Sequence, residues 1–338
     1  MYVVGVWLDT LARWKREGLP ADVQDVHDYL KVDHLRLVNV SGAVGLFPRF
    51  ETRVVREDAG EKVFIDDWGR TVRDLKNRTT MPEWLDFAVK TRTDLQMVLD
   101  RHFTMDMDRR FTPEWEAKIK ADVAGQPDAL VLIDGGCLYG TLRNLAGVEH
   151  TSYLLLEEPD LAHELFERYA EVNREAIRRA SKLVKIDALG YGEDIAYKNG
   201  TLISPAMFRK FLLPRYRQTI ELARQCGIEL TWYDSDGDIR LFMKDYFSIG
   251  INTFAPCEVA AHMIPVELRR AYGKEIRLIG GIDKREIAKG RAAIDAEIAR
   301  NRPVIREGGF LPAIDHSVPA EISYDDYRYF LDALQREL

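Results

Sequence analysis

The sequence predicts an α/β fold of the (β/α)₈ TIM-barrel class, and two observations support this. Short apolar runs alternate with stretches of helical periodicity, and six of these runs end directly in acidic or otherwise reactive residues. A continuous apolar run is typical of a buried parallel strand. Parallel α/β enzymes carry their chemistry at the carboxyl ends of such strands. Six runs after residue 129, with one or two before it, favour a closed eight-stranded barrel over an open sheet.

The predicted strands and helices alternate along the second half of the chain. The predicted strands are the apolar runs 129–133, 186–191, 228–232, 251–254, 276–279 and 310–314. The polar or reactive residues that follow them are, in the same order, Asp134; Glu193 and Asp194; Asp234 and Asp236; Cys257 and Glu258; Asp283; and Asp315 and His316. Helices are predicted at 159–184, 205–226, 238–247, 265–272, 284–299 and 324–334. Proline at 159, 205 and 265 suits a first helical turn, where no N–H is needed.

Composition restricts the class of protein. The 338 residues are 46% hydrophobic and 30% charged, which is ordinary for a globular enzyme. A net charge of −7 gives nucleic acid no general attraction. No apolar run reaches the roughly 18–20 residues that span a bilayer, and no signal peptide is recognised, so we expect a cytoplasmic protein with no membrane partner. The organisation predicted is a single domain, 1–338, with an N-terminal β-rich insertion or flap at about 46–80.

Asp234 and Asp236 are the most suggestive pair. If the strand continues to Asp236, the two carboxylates project to the same side. They could then bind a divalent cation or act as an acid/base pair. The alternative is that Asp236 caps the next helix.

Other strand ends supply further candidates. Asp315 beside His316 can orient the imidazole as a base or as a metal ligand. Glu193 or its neighbour Asp194 should face the cavity, and we name Glu193, Asp236 and His316 as catalytic candidates. Residues predicted to contact substrate are Asp134, Arg143, Trp232, Glu258, Asp283 and Asp315. A divalent ion held by Asp234, Asp236 and His316 is the metal hypothesis.

Several motifs resemble one known family. They are the segments 13–20, 67–71, 192–195, 202–205, 235–238, 256–259 and 280–284, and the closing stretch from Gly308 through Pro319. Together they are similar to the uroporphyrinogen decarboxylase superfamily, which also contains cobalamin-dependent methyltransferases. The resemblance implies a (β/α)₈ barrel with its pocket at the strand carboxyl ends.

The departures from that family narrow what the resemblance implies. The haem-pathway decarboxylase has an arginine-containing segment near its start that contacts propionate groups, and this chain has none. The zinc methyltransferases have a His-x-Cys pair where this chain has Asp234 and Asp236, so any metal should be held by oxygen and imidazole. The family's opening helix and first strand are missing or reduced to residues 1–6, so we expect the chain to start late.

Two enzymatic hypotheses follow. The first is a methyltransferase that moves a methyl group between a small methylated substrate, such as a methoxylated aromatic or a methylamine-like compound, and a corrinoid protein. Its cofactors would be the partner's corrinoid and either zinc or a harder divalent ion. The second is a cofactor-free decarboxylase of a carboxylated, tetrapyrrole-like ring. A barrel that only binds a ligand is the non-enzymatic alternative. Expected partners are a small-molecule substrate, the corrinoid protein and a second copy of the chain in a homodimer.

Overall fold

The computed structural model describes residues 5–32, 34–76 and 81–338. The strands in chain order are β1 (Leu37–Asn39), β2 (Arg53–Glu57), β3 (Glu61–Ile65), β4 (Thr71–Leu75), β5 (Glu83–Asp86), β6 (Leu130–Gly136), β7 (Ala188–Gly192), β8 (Ala196–Tyr197), β9 (Gly200–Thr201), β10 (Leu230–Asp234), β11 (Thr253–Ala255), β12 (Arg277–Ile282) and β13 (Phe310–Ile314). The helices are α1 (Leu8–Arg16), α2 (Val26–Tyr29), α3 (Arg92–Arg101), α4 (Met107–Arg110), α5 (Pro113–Gly125), α6 (Leu138–Glu157), α7 (Pro159–Ala180), α8 (Pro205–Phe211), α9 (Leu213–Gln225), α10 (Met243–Ile249), α11 (Pro265–Tyr272), α12 (Lys284–Ile287), α13 (Arg291–Glu307) and α14 (Tyr324–Gln335).

A parallel sheet forms the centre of the molecule. Its seven strands pair in the order β1-β6-β7-β10-β11-β12-β13, which confirms the predicted parallel α/β architecture. Within the described ranges no ladder joins β13 back to β1, so the sheet is a curled half-barrel and the predicted eight-stranded closure is not established. Val6 makes an isolated parallel bridge to Val318, just beyond the end of β13.

A second, antiparallel sheet is inserted before the parallel strands become regular. Strands β2 to β5 pair in sequence order and cover residues 53–86; the insertion predicted from sequence was placed at about 46–80. The turn between β3 and β4 reaches helix α6, where Arg70 Nη1 donates to Asn144 Oδ1 at 3.1 Å. Because α6 starts at the carboxyl end of β6, the inserted sheet lies beside the first turns that border the barrel mouth.

Two long helices predicted from sequence are each divided. The predicted helix 205–226 forms α8 and α9, with Pro214 in the first turn of α9. The predicted helix 284–299 forms α12 and α13, and Gly290 between them has φ 91°, a left-handed conformation that glycine adopts readily. Ser204 Oγ accepts from Met207 N at 3.2 Å and so caps α8. None of the helices in the described ranges is both long and apolar enough to cross a membrane.

The concave side of the sheet has an apolar floor. Trp232, Ala255 and Ile279 form a small buried cluster against which Leu132 packs. Because side chains alternate along a strand, Asp234 lies on the same face as Trp232, one layer nearer the carboxyl end. The floor therefore separates a carboxylate-rich mouth from an apolar cavity of about 220 Å³ at the amino ends of the strands.

Candidate active site

The mouth of the half-barrel is built from the residues that follow six parallel strands. Strand β10 ends at Asp234, so the predicted alternation does not extend to Asp236, which lies in the following loop. The loops are nevertheless bound to one another. Glu193 N donates to the Asp234 carbonyl oxygen at 3.1 Å, and Asp236 N donates to Asp194 Oδ1 at 3.4 Å. The ends of β7 and β10 thus form one continuous surface.

Asp234 is an acid that can carry a proton near neutral pH. Burial, together with the nearby charges of Asp236 and Asp194, raises the pKa of its carboxyl to about 7. Within the described part of the chain, no hydrogen bond to the Asp234 carboxyl oxygens is found. The group is therefore poised to donate or accept a proton and has hydrogen-bonding capacity available for a ligand.

Asp236 and His316 form the accessible pair of the mouth. His316 Nε2 lies 3.5 Å from Asp236 Oδ2, and their side chains are 30% and 45% exposed. The hydrogen bond to Asp236 raises the pKa of His316, against the opposing effect of burial. The Trp7 ring stacks on the imidazole with a centroid separation of 6.5 Å. These two residues were predicted as catalytic candidates, and the structure brings them together.

The lysine and the arginine of the described mouth, Lys284 and Arg143, are each paired with an acid. Lys284 Nζ lies 3.5 Å from Glu258 Oε1, and Gly237 N donates to the other oxygen of the same carboxylate at 3.1 Å. Arg143 donates to the Asp194 carbonyl oxygen at 2.9 Å and contacts its carboxylate at 3.3 Å. Arg143 was predicted to contact the substrate, yet its guanidinium already has an anionic partner in Asp194.

Glu193 faces away from the mouth, although it was predicted to be catalytic. Its side chain is 1% exposed and caps the start of helix α6, accepting from Leu138 N at 2.5 Å and Gly140 N at 2.9 Å. The Tyr216 hydroxyl donates to the same carboxyl. Burial outweighs the opposing effect of these three hydrogen bonds and raises the pKa of Glu193 to about 7. Its position is that of a structural cap.

Two other predicted contacts, Asp315 and Asp283, are also engaged by groups of the mouth loops. Asp315 is fully buried and accepts from Val259 N at 2.9 Å and Lys284 N at 3.1 Å, and burial raises its pKa to about 6. Asp283 caps α12 and binds the Arg285 guanidinium at 2.6 and 2.8 Å. Burial favours a higher pKa for Asp283, but these hydrogen bonds outweigh it and the pKa is lowered.

Asp134 and Trp232 lie deeper than the mouth loops. Asp134 Oδ1 accepts from Gly136 N at 2.8 Å in a local turn, and burial raises the pKa of its carboxyl. Trp232 is 6% exposed and forms part of the floor that also borders the apolar cavity. Asp134 or Trp232 can contact a substrate only if the substrate extends past the mouth loops to the strands of the sheet.

The predicted metal ligands do not form a preassembled metal centre. In residues 5–32, 34–76 and 81–338, no group of three His, Cys, Asp or Glu side chains is arranged to hold a metal ion. Cys257 is buried with its thiol toward the Phe254 carbonyl oxygen at 3.3 Å, and burial raises its pKa to about 12. The donor set therefore does not fit a zinc–thiolate site, and metal binding by Asp234, Asp236 and His316 stays a prediction.

Sequence reasoning named Asp194 only as the alternative to Glu193, and it did not name Trp7 as a site residue. Asp194 is the exposed member of the Glu193–Asp194 pair, with a side chain 51% exposed. Its φ of 44°, a value that L-residues seldom adopt, turns the chain just after β7 ends. No local signal in the sequence linked Trp7 to His316.

Comparison with known proteins gives the following matches. Residues 141–337 match the family model described as Uroporphyrinogen decarboxylase (URO-D). A methyltransferase from Methanosarcina mazei has a similar structure, with a TM-score of 0.55 and 16% identity over 80% of this chain and 76% of that one. A GH26 β-mannanase from Bacteroides ovatus gives a TM-score of 0.34 at 12% identity, over 64% and 72% of the two chains, which is too low to inform the fold. No curated protein matches the sequence.

Proposed function

Because this chain belongs to the uroporphyrinogen decarboxylase family, we propose that it is an enzyme of the methyltransferase branch that removes the methyl group from a small methyl ether and passes it to a corrinoid protein. The observation that carries the proposal is Asp234, a carboxyl group with a pKa of about 7 and no described hydrogen-bond partner in a carboxylate-rich mouth. The structural similarity to a methyltransferase supports the same branch.

The charge of the mouth argues against a polycarboxylate substrate. Its accessible acids are Asp194, Asp236 and Glu258, and the basic groups Arg143, His316 and Lys284 are each paired with one of them. A ring that carries several carboxylates would meet repulsion, with no unpaired cation in the described mouth to offset its desolvation. A neutral substrate avoids this cost. The mouth therefore favours methyl transfer over decarboxylation of a tetrapyrrole-like ring.

Asp234 also discriminates between methyl donors. A neutral carboxyl group donates a hydrogen bond, and an ether oxygen has a lone pair to accept it. A methylammonium ion has no such lone pair, and its amine leaves without needing a proton. A proton held at neutral pH is thus useful for an ether, whose departing oxygen would otherwise leave as a poorly stabilised anion.

The proposed reaction balances as follows. The C–O bond of the methyl ether breaks, and its electron pair stays on oxygen while Asp234 gives that oxygen its proton. The products are the alcohol or phenol and a methyl group transferred without its bonding electrons. A reduced corrinoid carried by the partner protein supplies the electron pair that receives the methyl group. Asp236 and His316 lie beside Asp234 at the exposed rim and can return a proton from solvent after each turnover.

The test uses free cob(I)alamin in place of the partner's corrinoid. Purified protein is incubated with methoxybenzene compounds, and phenol release and methylcobalamin formation are followed together. Replacement of Asp234 by Asn keeps the size of the side chain and removes the acid, so turnover should fall by about 10²-fold or more. The control is Asp325→Asn, which changes an exposed carboxylate on α14 that is paired with Arg291 and should leave turnover unchanged.

The decarboxylase alternative has its own signature. Carboxylated ring compounds would release CO₂ with no corrinoid present, and the same Asp234→Asn variant would report whether the acid participates. CO₂ release without any methyl transfer would replace the proposed function by this alternative.

A further inference from the structure

Strand β7 ends beside Asp234 with a residue that has no side chain. Strands β7 and β10 are parallel, and in their register Gly192 is the partner of Asp234, as Gly190 is of Trp232. Neighbouring strands lie about 5 Å apart, so the two registered residues are adjacent on the sheet. Side chains of registered residues on one face point the same way. A side chain at position 192 would therefore stand next to the Asp234 carboxyl group.

The space that such a side chain would fill is open. A Cβ atom built on Gly192 has no heavy atom of the described chain within 4 Å, and the residue is exposed. At Gly190, one layer below, the corresponding Cβ would lie 3.0 Å from Leu132 Cδ1. Close packing therefore explains why residue 190 has no side chain, but it does not explain why residue 192 has none.

Backbone conformation does not account for Gly192 either. Its φ lies outside the left-handed range that favours glycine, so an L-residue can adopt it. Glycine inside a strand costs stability because it adds no packing, and it often marks a place where a ligand approaches the backbone closely. Gly192 has the open space that such an approach requires, and it lies next to the Asp234 carboxyl group.

We propose that Gly192 determines the size of substrate accepted, leaving room for the flat ring of an aryl methyl ether to lie over the β7 backbone with its ether oxygen toward Asp234. The inference rests on the proposed function for the identity of the substrate. The floor of Trp232, Ile279 and Ala255 below gives an apolar surface for the edge of the ring. A larger residue at 192 would occupy the space of the ring and leave room for a small donor such as methanol.

The test separates binding from turnover. Binding of anisole is measured by ligand-detected NMR on the full chain, for the wild type and for Gly192→Ala, Gly192→Leu and Gly125→Ala. Gly125 at the end of α5 is the matched control, since its Cβ position is also open and its φ is also ordinary. We expect wild type and Gly125→Ala to bind alike, Gly192→Ala to bind more weakly, and Gly192→Leu to lose at least about tenfold in affinity.

Turnover with cob(I)alamin gives the second measurement. The ratio of anisole to methanol demethylation should fall at least about tenfold in Gly192→Leu and stay constant in Gly125→Ala. Unchanged anisole affinity in Gly192→Leu, or no binding to the wild type, overturns the inference even if methyl transfer occurs. If Gly192→Leu loses anisole binding but no variant transfers a methyl group, the proposed function is overturned. The role of Gly192 in setting the size of the ligand is then still supported. If thermal unfolding shows that Gly192→Leu is not folded, the anisole affinity and the anisole-to-methanol ratio of Gly192→Ala are judged by the same criteria.

Discussion

Replacing Glu193 by Ala should destabilise the fold because this carboxyl group holds the start of helix α6. The change removes the acceptor of the Leu138 and Gly140 backbone N–H groups and of the Tyr216 hydroxyl, all in a site that is 1% exposed. A buried donor left without a partner costs about 1–3 kcal/mol. Three such donors place the expected loss in the free energy of unfolding at roughly 3–9 kcal/mol near pH 5.

The loss should depend on pH in a defined direction. Because the pKa of Glu193 rises from 4.5 in the unfolded chain to about 7 in the folded one, the folded state binds the extra proton between these values. The stability contributed by Glu193 is therefore complete below pH 4.5 and falls as the pH rises toward 7, by up to about 3 kcal/mol. The difference between wild type and Glu193→Ala should accordingly be larger at pH 5 than at pH 8.

Urea unfolding at pH 5, 6, 7 and 8 measures this difference directly. Other buried acids titrate in both proteins, so their contributions to the pH dependence of the free energy of unfolding cancel in the comparison. Tyr216→Phe is the control, because it removes one hydroxyl, should cost about 1 kcal/mol and should keep the pH dependence. A Glu193→Ala variant within about 1 kcal/mol of wild type at every pH would refute the capping role and return Glu193 to the catalytic candidates.

Three further outcomes are expected. Methyl-transfer kcat/KM should fall as the pH rises through about 7, because Asp234 acts in its protonated form. The residual kcat/KM of Asp234→Asn should not show this decrease with pH. Turnover should be indifferent to EDTA, because no step is assigned to a metal; activity lost on chelation and restored by zinc would make Asp234, Asp236 and His316 ligands. Asp315→Ala should lower the free energy of unfolding by about 2–6 kcal/mol, measured by urea unfolding, since Val259 N and Lys284 N lose their acceptor.

The sheet was predictable because its strands are buried on both faces. Strand β10 covers Leu230–Asp234 where an apolar run was predicted at 228–232, and β13 coincides with the predicted 310–314. The division of the long helices was harder to predict, because Pro214 and Gly290 interrupt patterns that are otherwise helical on both sides. Closure of the barrel depends on pairing between distant residues, which no local pattern specifies.

The sequence predicted that the site residues follow the ends of the strands, but it did not predict the direction in which each side chain points. Alternation assigns faces only while a strand continues, and β7 ends at Gly192. Beyond that point a left-handed turn at Asp194 sends Glu193 into the core and its neighbour into the mouth. The sequence offered no means of choosing between the two acids. The open position at Gly192 was equally hidden, since its meaning depends on the register with β10.

The fate of a labelled methyl group tests the central claim most directly. Anisole carrying ¹³C in its methoxy group is incubated anaerobically with the protein and cob(I)alamin, and ¹³C NMR follows the label while phenol is quantified. The account predicts that the label appears on the corrinoid in amounts equal to the phenol released, and that neither product forms with Asp234→Asn above a small residual rate. Phenol formed without labelled methylcobalamin, or equal rates in the wild type and Asp234→Asn, would contradict it.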